Sequence, residues 1–175
     1  MTRYIAFLRA INVGGTTLIK MADLKRMFES FGLENVQTYI QSGNVIFESS
    51  EADATALEEQ IERHLEKAVG KRIQLFVRTM REVAAILRAC PFEPKDGETV
   101  YIVILDKKPS KKNVDALLAF RSKFDDFAVK GREGFQLRRD REKTTFTNRS
   151  MEQVLGVPGT ARNLNTIKAL IEKYR

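Results

Sequence analysis

The sequence predicts an α+β fold made of two subdomains, each with an antiparallel sheet, and three observations predict it. Over residues 4–77, short β-rich runs and amphipathic helical stripes follow the order β-α-β-β-α-β. Ser42-Gly43-Asn44, between two β-rich runs, is a typical hairpin signal. After residue 98 a similar β-α-β-β-α order begins again. We therefore expect two ferredoxin-like β-α-β-β-α(-β) subdomains.

The strands of the first half are short runs of β-forming residues. Residues 4–8 are almost fully apolar, which is typical of a central strand. Residues 36–41 and 45–47 flank the hairpin turn, and residues 72–77 alternate apolar and polar side chains. The ferredoxin-like order makes the first and third strands neighbours, so residues 4–8 should pair with residues 45–47.

Two helices between these strands are predicted from apolar residues at helical spacing. The first ends at the C-cap glycine Gly32, and its stripe is Met21, Leu24, Phe28 and Phe31. The second opens at Ser50 with Asp53 and ends at Gly70, and its stripe is Leu57, Ile61, Leu65 and Ala68. Both helices should cover the same face of the sheet.

A short third helix and a breakpoint follow the first subdomain. Thr79 and Glu82 have capping-box spacing, and Pro91 should stop the helix that they open. Residues 91–97 contain Pro and Gly and separate the two patterns. The predicted subdomains are therefore residues 1–92 and residues 98–175.

The second half repeats the pattern and ends in two helices that we expect to pack across both subdomains. Its predicted strands are 99–105, 127–130 and 135–138. One predicted helix begins after Ser110, and two more lie near residues 150–155 and 162–174.

The composition narrows the class of protein. With 43% hydrophobic and 30% charged residues, no run approaches the ~20 apolar residues of a spanning helix, so a membrane protein is not expected. No signal peptide precedes the first strand, and Cys90 is the single cysteine, which is typical of a cytoplasmic protein. We interpret Cys90 as a small core residue and His64, the single histidine, as a packing residue. No metal site is predicted.

Most of the net charge of +7 lies in the second half, much of it in residues 130–149. Such a segment can bind the phosphates of nucleic acid. We favour the interpretation that it is a solvated hairpin face.

The first stretch with chemical potential is residues 8–15, LRAINVGG, where a strand runs into a glycine turn. The Gly14 and Gly15 amides can converge on an anion, and Arg9 adds a forked donor. Asn12 lies between them. A tight turn with a salt-bridged arginine is the structural alternative.

The second stretch is residues 38–44, with Tyr39, Ser42 and Asn44 as candidate ligand-binding residues. Ordinary hairpin chemistry also explains Ser42 and Asn44. In the predicted strand order, Asn44 lies near one end of the first strand.

The third stretch joins Thr147 and Asn148 with Thr160, Arg162 and Asn163. Thr147 or Asn148 and then Thr160 are expected to cap the last two helices. Arg162 would then lie in the first turn of a helix, where the macrodipole disfavours a cation. This predicts an anionic partner for Arg162.

Segments 8–15, 21–24, 38–45, 146–148 and 160–163 together resemble the bacterial family called domain of unknown function 1697. The resemblance covers essentially the whole chain. It implies a compact α+β protein with two ferredoxin-like parts, and it supplies no catalytic residue, cofactor or ligand.

The biochemical function and any cofactor stay unknown at this point, and three hypotheses remain open. The first is binding of a small phosphate- or carboxylate-bearing ligand, such as a nucleotide, in a cleft between the subdomains that Arg9 and Arg162 share. The second is an enzyme, a transferase or hydrolase, that uses the same cleft. The third is a nucleic-acid-binding protein that uses the basic C-terminal half. The sequence leaves the oligomeric state open.

Overall fold

The structure, a computed structural model, describes residues 1–14, 17–144, 146 and 148–174. Helices and strands alternate along the chain in the following order: β1 (Thr2–Leu8), α1 (Met21–Ser30), β2 (Glu34–Tyr39), β3 (Asn44–Ser49), α2 (Ala54–Val69), β4 (Leu75–Thr79), α3 (Met80–Ala89), β5 (Thr99–Leu105), α4 (Lys111–Leu118), β6 (Asp125–Lys130), β7 (Glu133–Arg138), α5 (Asn148–Leu155), β8 (Gly159–Asn163) and α6 (Leu164–Tyr174). Within the described residues, no helix combines the length and apolarity needed to cross a membrane.

The chain divides into two compact units. The first unit is Met1–Val83 with the chain end from Lys173, and the second is Ala84–Glu172. Each unit contains a four-stranded antiparallel sheet, so the predicted α+β class with two ferredoxin-like sheets is confirmed. The predicted limits 1–92 and 98–175 stay a prediction.

The first sheet has the strand order β2-β3-β1-β4. Strand β1 pairs antiparallel with β3, with Tyr4 opposite Phe47, and with β4, with Tyr4 opposite Thr79. The predicted pairing of residues 4–8 with 45–47 is therefore confirmed. It places the C-terminal end of β1 between the start of β3 and the start of β4.

The core of the first unit lies between one face of this sheet and helices α1 and α2. Tyr4, Ala6 and Leu8 alternate along β1 and pack in one cluster with the predicted stripes of both helices, except Ala68, which is exposed. The Tyr4 and Phe47 rings stack with centroids 5.6 Å apart. Burial of each large apolar side chain contributes about 1.5–3 kcal/mol. Because Leu8, the last residue of β1, belongs to the cluster, the cluster holds the end of this strand in place.

Two glutamates of α2 cover the outer edge of β4. Glu58 Oε1 accepts from the Val77 N–H at 2.6 Å, and Glu62 Oε1 accepts from the Leu75 N–H at 3.0 Å. Because β4 is the last strand of its sheet, these N–H groups have no strand partner on that side. The helix thereby sets the position of the start of β4.

The ends of the helices agree with most of the capping predictions. Thr79 and Glu82 form the expected reciprocal capping box, and Gly70 adopts φ 83° at the end of α2. At the start of α2 the cap is Asp53, whose carboxylate accepts from Thr55 N and Ala56 N. Ser50 lies outside the helix.

The second sheet has the strand order β6-β7-β5-β8, and its core includes Val103, Phe127 and Met151. Its fourth strand, β8, corrects the predicted helix 162–174. Thr160 and Arg162 lie in β8, paired with Ile104 and Ile102 of β5, so Thr160 is not a helix cap and Arg162 is not in a helical turn. A segment that contains a residue such as Thr160 can either cap a helix or form a short edge strand. Here its pairing with β5 makes it a strand.

Candidate functional site

The backbone at the end of β1 is held from both sides. The Leu8 N–H donates to the Gly43 carbonyl at 2.8 Å, and the Arg9 N–H donates to the Gln74 carbonyl at 2.8 Å. Segment 8–14 therefore contacts both the β2–β3 turn and the residues before β4. The predicted proximity of the first two stretches is confirmed.

Asn12 fastens this loop with its side-chain amide. Nδ2 donates to the Ile19 carbonyl at 2.9 Å and to the Gln41 carbonyl at 3.0 Å, and Oδ1 accepts from the Ile19 N–H at 2.9 Å. Its φ of 54° is a left-handed conformation that asparagine tolerates better than most residues. The side chain thus organises the loop through backbone contacts.

The Ser42-Gly43-Asn44 turn is built as the structural alternative predicts. Asn44 is buried, and its Nδ2 donates to the Tyr39 carbonyl at 2.9 Å and to Ser42 Oγ at 3.1 Å. Gly43 has φ 81°, and a Cβ there would lie 2.7 Å from Ile11 Cδ1. Only glycine fits this contact. Ligand binding by Ser42 and Asn44 stays a prediction.

Tyr39 belongs to an aromatic contact at the chain end. Its ring lies edge-on to Tyr174 with centroids 6.2 Å apart, and Lys173 Nζ lies 5.6 Å from its centroid. Arg3 Nη1 donates to the Tyr174 carbonyl at 2.8 Å. These contacts attach the end of α6 to the first unit.

A cavity of about 480 Å³ opens where the end of β1 meets the start of β4. We call it the basic pocket, and its lining residues are Arg9, Ala10, Thr17, Lys71, Arg72, Ile73 and Gln74. This lining holds three cationic side chains and, among the described residues, no carboxylate. The cavity falls within the ~300–1,000 Å³ usual for small-molecule sites.

The polar groups of the basic pocket are arranged mainly as donors. Arg9 Nη1 donates to Gln74 Oε1 at 3.3 Å, and the Gln74 NH₂ group makes no hydrogen bond to any described residue. Arg72 donates Nε and Nη2 to Glu62 Oε2 at 3.3 and 3.1 Å. Its Nη1 and the Lys71 ammonium make no hydrogen bond or ion pair to any described residue.

Ala10 lines the same pocket in a left-handed conformation, with φ 53°. For an alanine this conformation costs about 1–2 kcal/mol, so the surrounding backbone contacts must hold it. Strain of this kind concentrates at binding loops.

In the second unit, Arg162 is a buried residue, 5% exposed. Its Nη1 donates to Thr160 Oγ1 and to the Ala161 carbonyl, each at 2.8 Å. Burial lowers the pKa of Arg162 to about 9. Because Arg162 lies in β8 and not in the first turn of a helix, the helix macrodipole gives no reason to expect an anionic partner for it.

Asn163 has a capping role in place of Thr160. Its Oδ1 accepts from the Asn165 N–H at 2.9 Å at the start of α6. Asn148 is the first residue of α5, and Gly15 and Thr147 lie outside the described residues. Arg9 and Arg162 belong to different units, so their sharing of one ligand stays a prediction.

The basic hairpin is not a uniformly solvated face. The Arg138 guanidinium lies 4.5 Å from the Tyr101 ring centroid, and its Nη2 donates to the Phe146 carbonyl at 3.1 Å. Arg141 Nε donates to Thr99 Oγ1 at 3.0 Å. These two arginines therefore hold the segment that follows β7 against the sheet. Arg138 is half-buried, so the interpretation as a solvated face is wrong for this residue, whereas Arg141 is exposed, as that interpretation expects.

His64 and Cys90, the single histidine and the single cysteine, differ in how well the structure matches their predicted roles. His64 is half-buried, its ring packs at a tilt against the Phe31 ring with centroids 5.3 Å apart, and its Nε2 shares a hydrogen bond with Ser30 Oγ, which confirms its packing role. Cys90 is half-buried beyond the end of α3, so it is not a core residue. No group of acidic, histidine or cysteine side chains among the described residues is arranged to hold a metal ion.

A family model described as protein of unknown function (DUF1697) matches residues 1–135, which include all of the first unit up to Val83 and the basic pocket. The chain belongs to the DUF1697 family. The resemblance carried by segments 8–15 and 38–45 is thereby confirmed.

A solved structure supports the fold of this DUF1697 protein. The conserved bacterial protein SP0830 from Streptococcus pneumoniae matches with a TM-score of 0.69 and 24% identity, over 98% of this chain and 97% of that one. At this identity the likeness shows the fold alone. No curated protein matches the chain significantly.

Sequence reasoning missed Thr17, Lys71, Arg72 and Gln74 as site residues of the DUF1697 chain. The signal was available in the predicted topology. An antiparallel neighbour of β1 must begin where β1 ends. The predicted fourth strand, 72–77, should therefore have placed Arg72 and Gln74, with Lys71 just before them, beside Arg9, although in the structure β4 begins only at Leu75.

Proposed function

We propose that the first unit binds a small phosphate- or carboxylate-bearing ligand in the basic pocket. The observation that carries the proposal is the set of groups left without protein partners. In the described lining these are the Lys71 ammonium, the Nη1 end of Arg72, the Gln74 NH₂ and the Thr17 hydroxyl. Three of the four can only donate hydrogen bonds.

An oxyanion is the ligand that complements such a set. Its oxygens accept several hydrogen bonds at once, and charge-assisted bonds from guanidinium or ammonium are roughly twice as strong as neutral ones. An arginine and a lysine together provide a planar fork and a compact point charge, which suits a phosphate or a carboxylate. The pocket volume of about 480 Å³ fits a metabolite rather than a single ion.

The side chains of the basic pocket suit binding better than catalysis. The lining contains cations, one amide and one hydroxyl, and its described residues include no histidine or carboxylate, the side chains that most often serve as general bases. An enzyme that uses this pocket would need a base from the ligand or from beyond the lining.

Calorimetric titration at about 0.15 M ionic strength, where exposed charges are screened beyond about 8 Å, tests the proposal, with inorganic phosphate, pyrophosphate and citrate as probes. Lys71→Gln should weaken the tightest of these by about 5-fold, equivalent to about 1 kcal/mol. Arg9→Lys should weaken it by about 10-fold, because lysine keeps the charge and loses the fork.

Lys67→Gln is the matched control. Lys67 is also exposed, lies four residues before Lys71 and does not line the pocket. It should leave the affinity within about 2-fold, since exposed charges outside a site are largely screened. Equal losses for the two lysine variants, or no binding of any probe by the wild-type chain, would contradict the proposal.

Titration of the same variants with a single-stranded oligonucleotide tests nucleic acid as the ligand. Salt-dependent binding of a single-stranded oligonucleotide that Lys71→Gln leaves unchanged would move the function to another basic surface.

A further inference from the structure

Glu62 of α2 makes two contacts that meet at the basic pocket without lining it. Its Oε1 accepts from the Leu75 N–H at 3.0 Å, and its Oε2 accepts from both Nε and Nη2 of Arg72. The Glu62 side chain is only 13% exposed, whereas that of Arg72 is 71% exposed. A well-anchored carboxylate thus holds an otherwise mobile arginine.

The contact with Glu62 occupies one particular edge of the guanidinium. Nε and Nη2 form its side-on edge, and Nη1 with the second Nη2 hydrogen forms its end-on edge. The end-on pair has no hydrogen-bond partner among the described residues. Arg72 can therefore bind Glu62 and an oxyanion at the same time, each through two N–H groups.

We propose that Glu62 is a positioning residue for the basic pocket: it orders Arg72 so that the end-on edge of the guanidinium meets the bound oxyanion. This inference rests on the proposed function and names a residue that acts on it from outside the lining. An exposed arginine loses rotamer freedom when it binds a ligand. A side chain that is already ordered avoids most of that loss.

The negative charge of Glu62 also has an opposite effect on anion binding, so the sign of the change in affinity tests the inference. A carboxylate beside the pocket also repels an anion, and removal of a purely repulsive charge would strengthen binding. Ordering of Arg72 predicts weaker binding when the same charge is removed. The two explanations therefore predict opposite changes in affinity.

Glu66 provides the matched control for charge. It lies four residues after Glu62 on α2 and borders the same side of Arg72, but no hydrogen bond or ion pair joins the two. Glu66→Gln and Glu62→Gln remove the same charge from the same helix. Glu62→Gln also keeps an amide oxygen that can accept from the Leu75 N–H, so the edge of β4 stays covered.

The experiment is a double-mutant cycle with pyrophosphate as the probe, measured by calorimetry on the full chain. Glu62→Gln should weaken binding by about 2- to 10-fold, the range expected for one side chain that must be ordered on binding. Arg72→Gln should weaken it at least as much. The double variant should bind no more weakly than Arg72→Gln alone, because Glu62 acts through Arg72.

Glu66→Gln should leave affinity unchanged or slightly improved. A purely structural role of Glu62 would give additive losses in the cycle, and it would thereby overturn positioning. Equal or tighter binding by Glu62→Gln would overturn it as well. If Lys71→Gln and Arg72→Gln weaken binding while Glu62→Gln does not, only the role of Glu62 fails. If wild type does not bind pyrophosphate, phosphate or citrate, the proposed function fails and the role of Glu62 fails with it.

Discussion

The two units have the same β-α-β-β-α-β order, but the arginines of the basic hairpin and the cations of the basic pocket make different contacts. In the second unit, which carries most of the net charge, Arg138 and Arg141 contact a ring, a carbonyl and a hydroxyl of their own unit. In the first unit, whose charges nearly balance, Lys71 and one end of Arg72 are left without partners among the described residues. Net charge therefore locates a basic region, and the contacts of each cation decide whether it is available to a ligand.

The turn glycines of the two hairpins also differ in their contacts. This difference predicts the largest effect on the free energy of unfolding. Gly43 and Gly131 both have a left-handed φ, of 81° and 59°. A Cβ at Gly43 would lie 2.7 Å from Ile11, whereas at Gly131 the nearest atom is a Glu133 carboxylate oxygen at 3.7 Å. Gly43→Ala should cost about 2–4 kcal/mol from strain and overlap together, and Gly131→Ala about 1 kcal/mol from strain alone.

Urea unfolding of both glycine variants measures the difference. Equal losses would mean that the β2–β3 turn is not pressed against the end of β1. The contact of the turn with the loop of the basic pocket would then be wrong.

Arg138 and Arg139 separate structural from solvated arginines within one hairpin. Arg138→Gln should lower the free energy of unfolding by about 1–2 kcal/mol, because it loses the Tyr101 contact and the bond to the Phe146 carbonyl. Arg139 is 38% exposed and lies 3.5 Å from Asp126, so Arg139→Gln should cost about 0.5 kcal/mol or less. Thermal and urea unfolding of the two single variants test this, and a neutral Arg138→Gln would restore the solvated interpretation.

Periodicity and turn chemistry predicted most of the fold. The helical stripes of α1 and α2, the Thr79 capping box and the β1–β3 pairing follow from local patterns that tertiary contacts then reinforce. Strand β8 was missed because the sequence around Thr160 also fits a helix cap, and only its pairing with β5 excludes that.

The candidate site was predicted only in part for a similar reason. Arg9 could be chosen from its place at a strand end, but Lys71, Arg72 and Gln74 are joined to it by the register of β4 on β1. Register depends on long-range packing, which the sequence of one segment does not contain. The role of Asn12 was similarly invisible, because its partners are carbonyls of two other loops.

The smallest expected effect concerns the strained loop of the first unit. Ala10 has φ 53°, so Ala10→Gly should remove about 1–2 kcal/mol of strain and add about 0.5–1 kcal/mol of lost chain entropy. The net expectation is a gain of about 0.5 kcal/mol in the free energy of unfolding.

Ala85→Gly, at an exposed position inside α3, should instead lose about 1 kcal/mol, because glycine there brings the entropy cost with no strain to relieve. Urea unfolding of both variants measures the difference in sign. A loss at Ala10 similar to that at Ala85 would mean that the loop carries no strain. If Ala10→Gly stabilises the fold and also weakens pyrophosphate binding, the strained conformation is held in the free protein because it shapes the basic pocket.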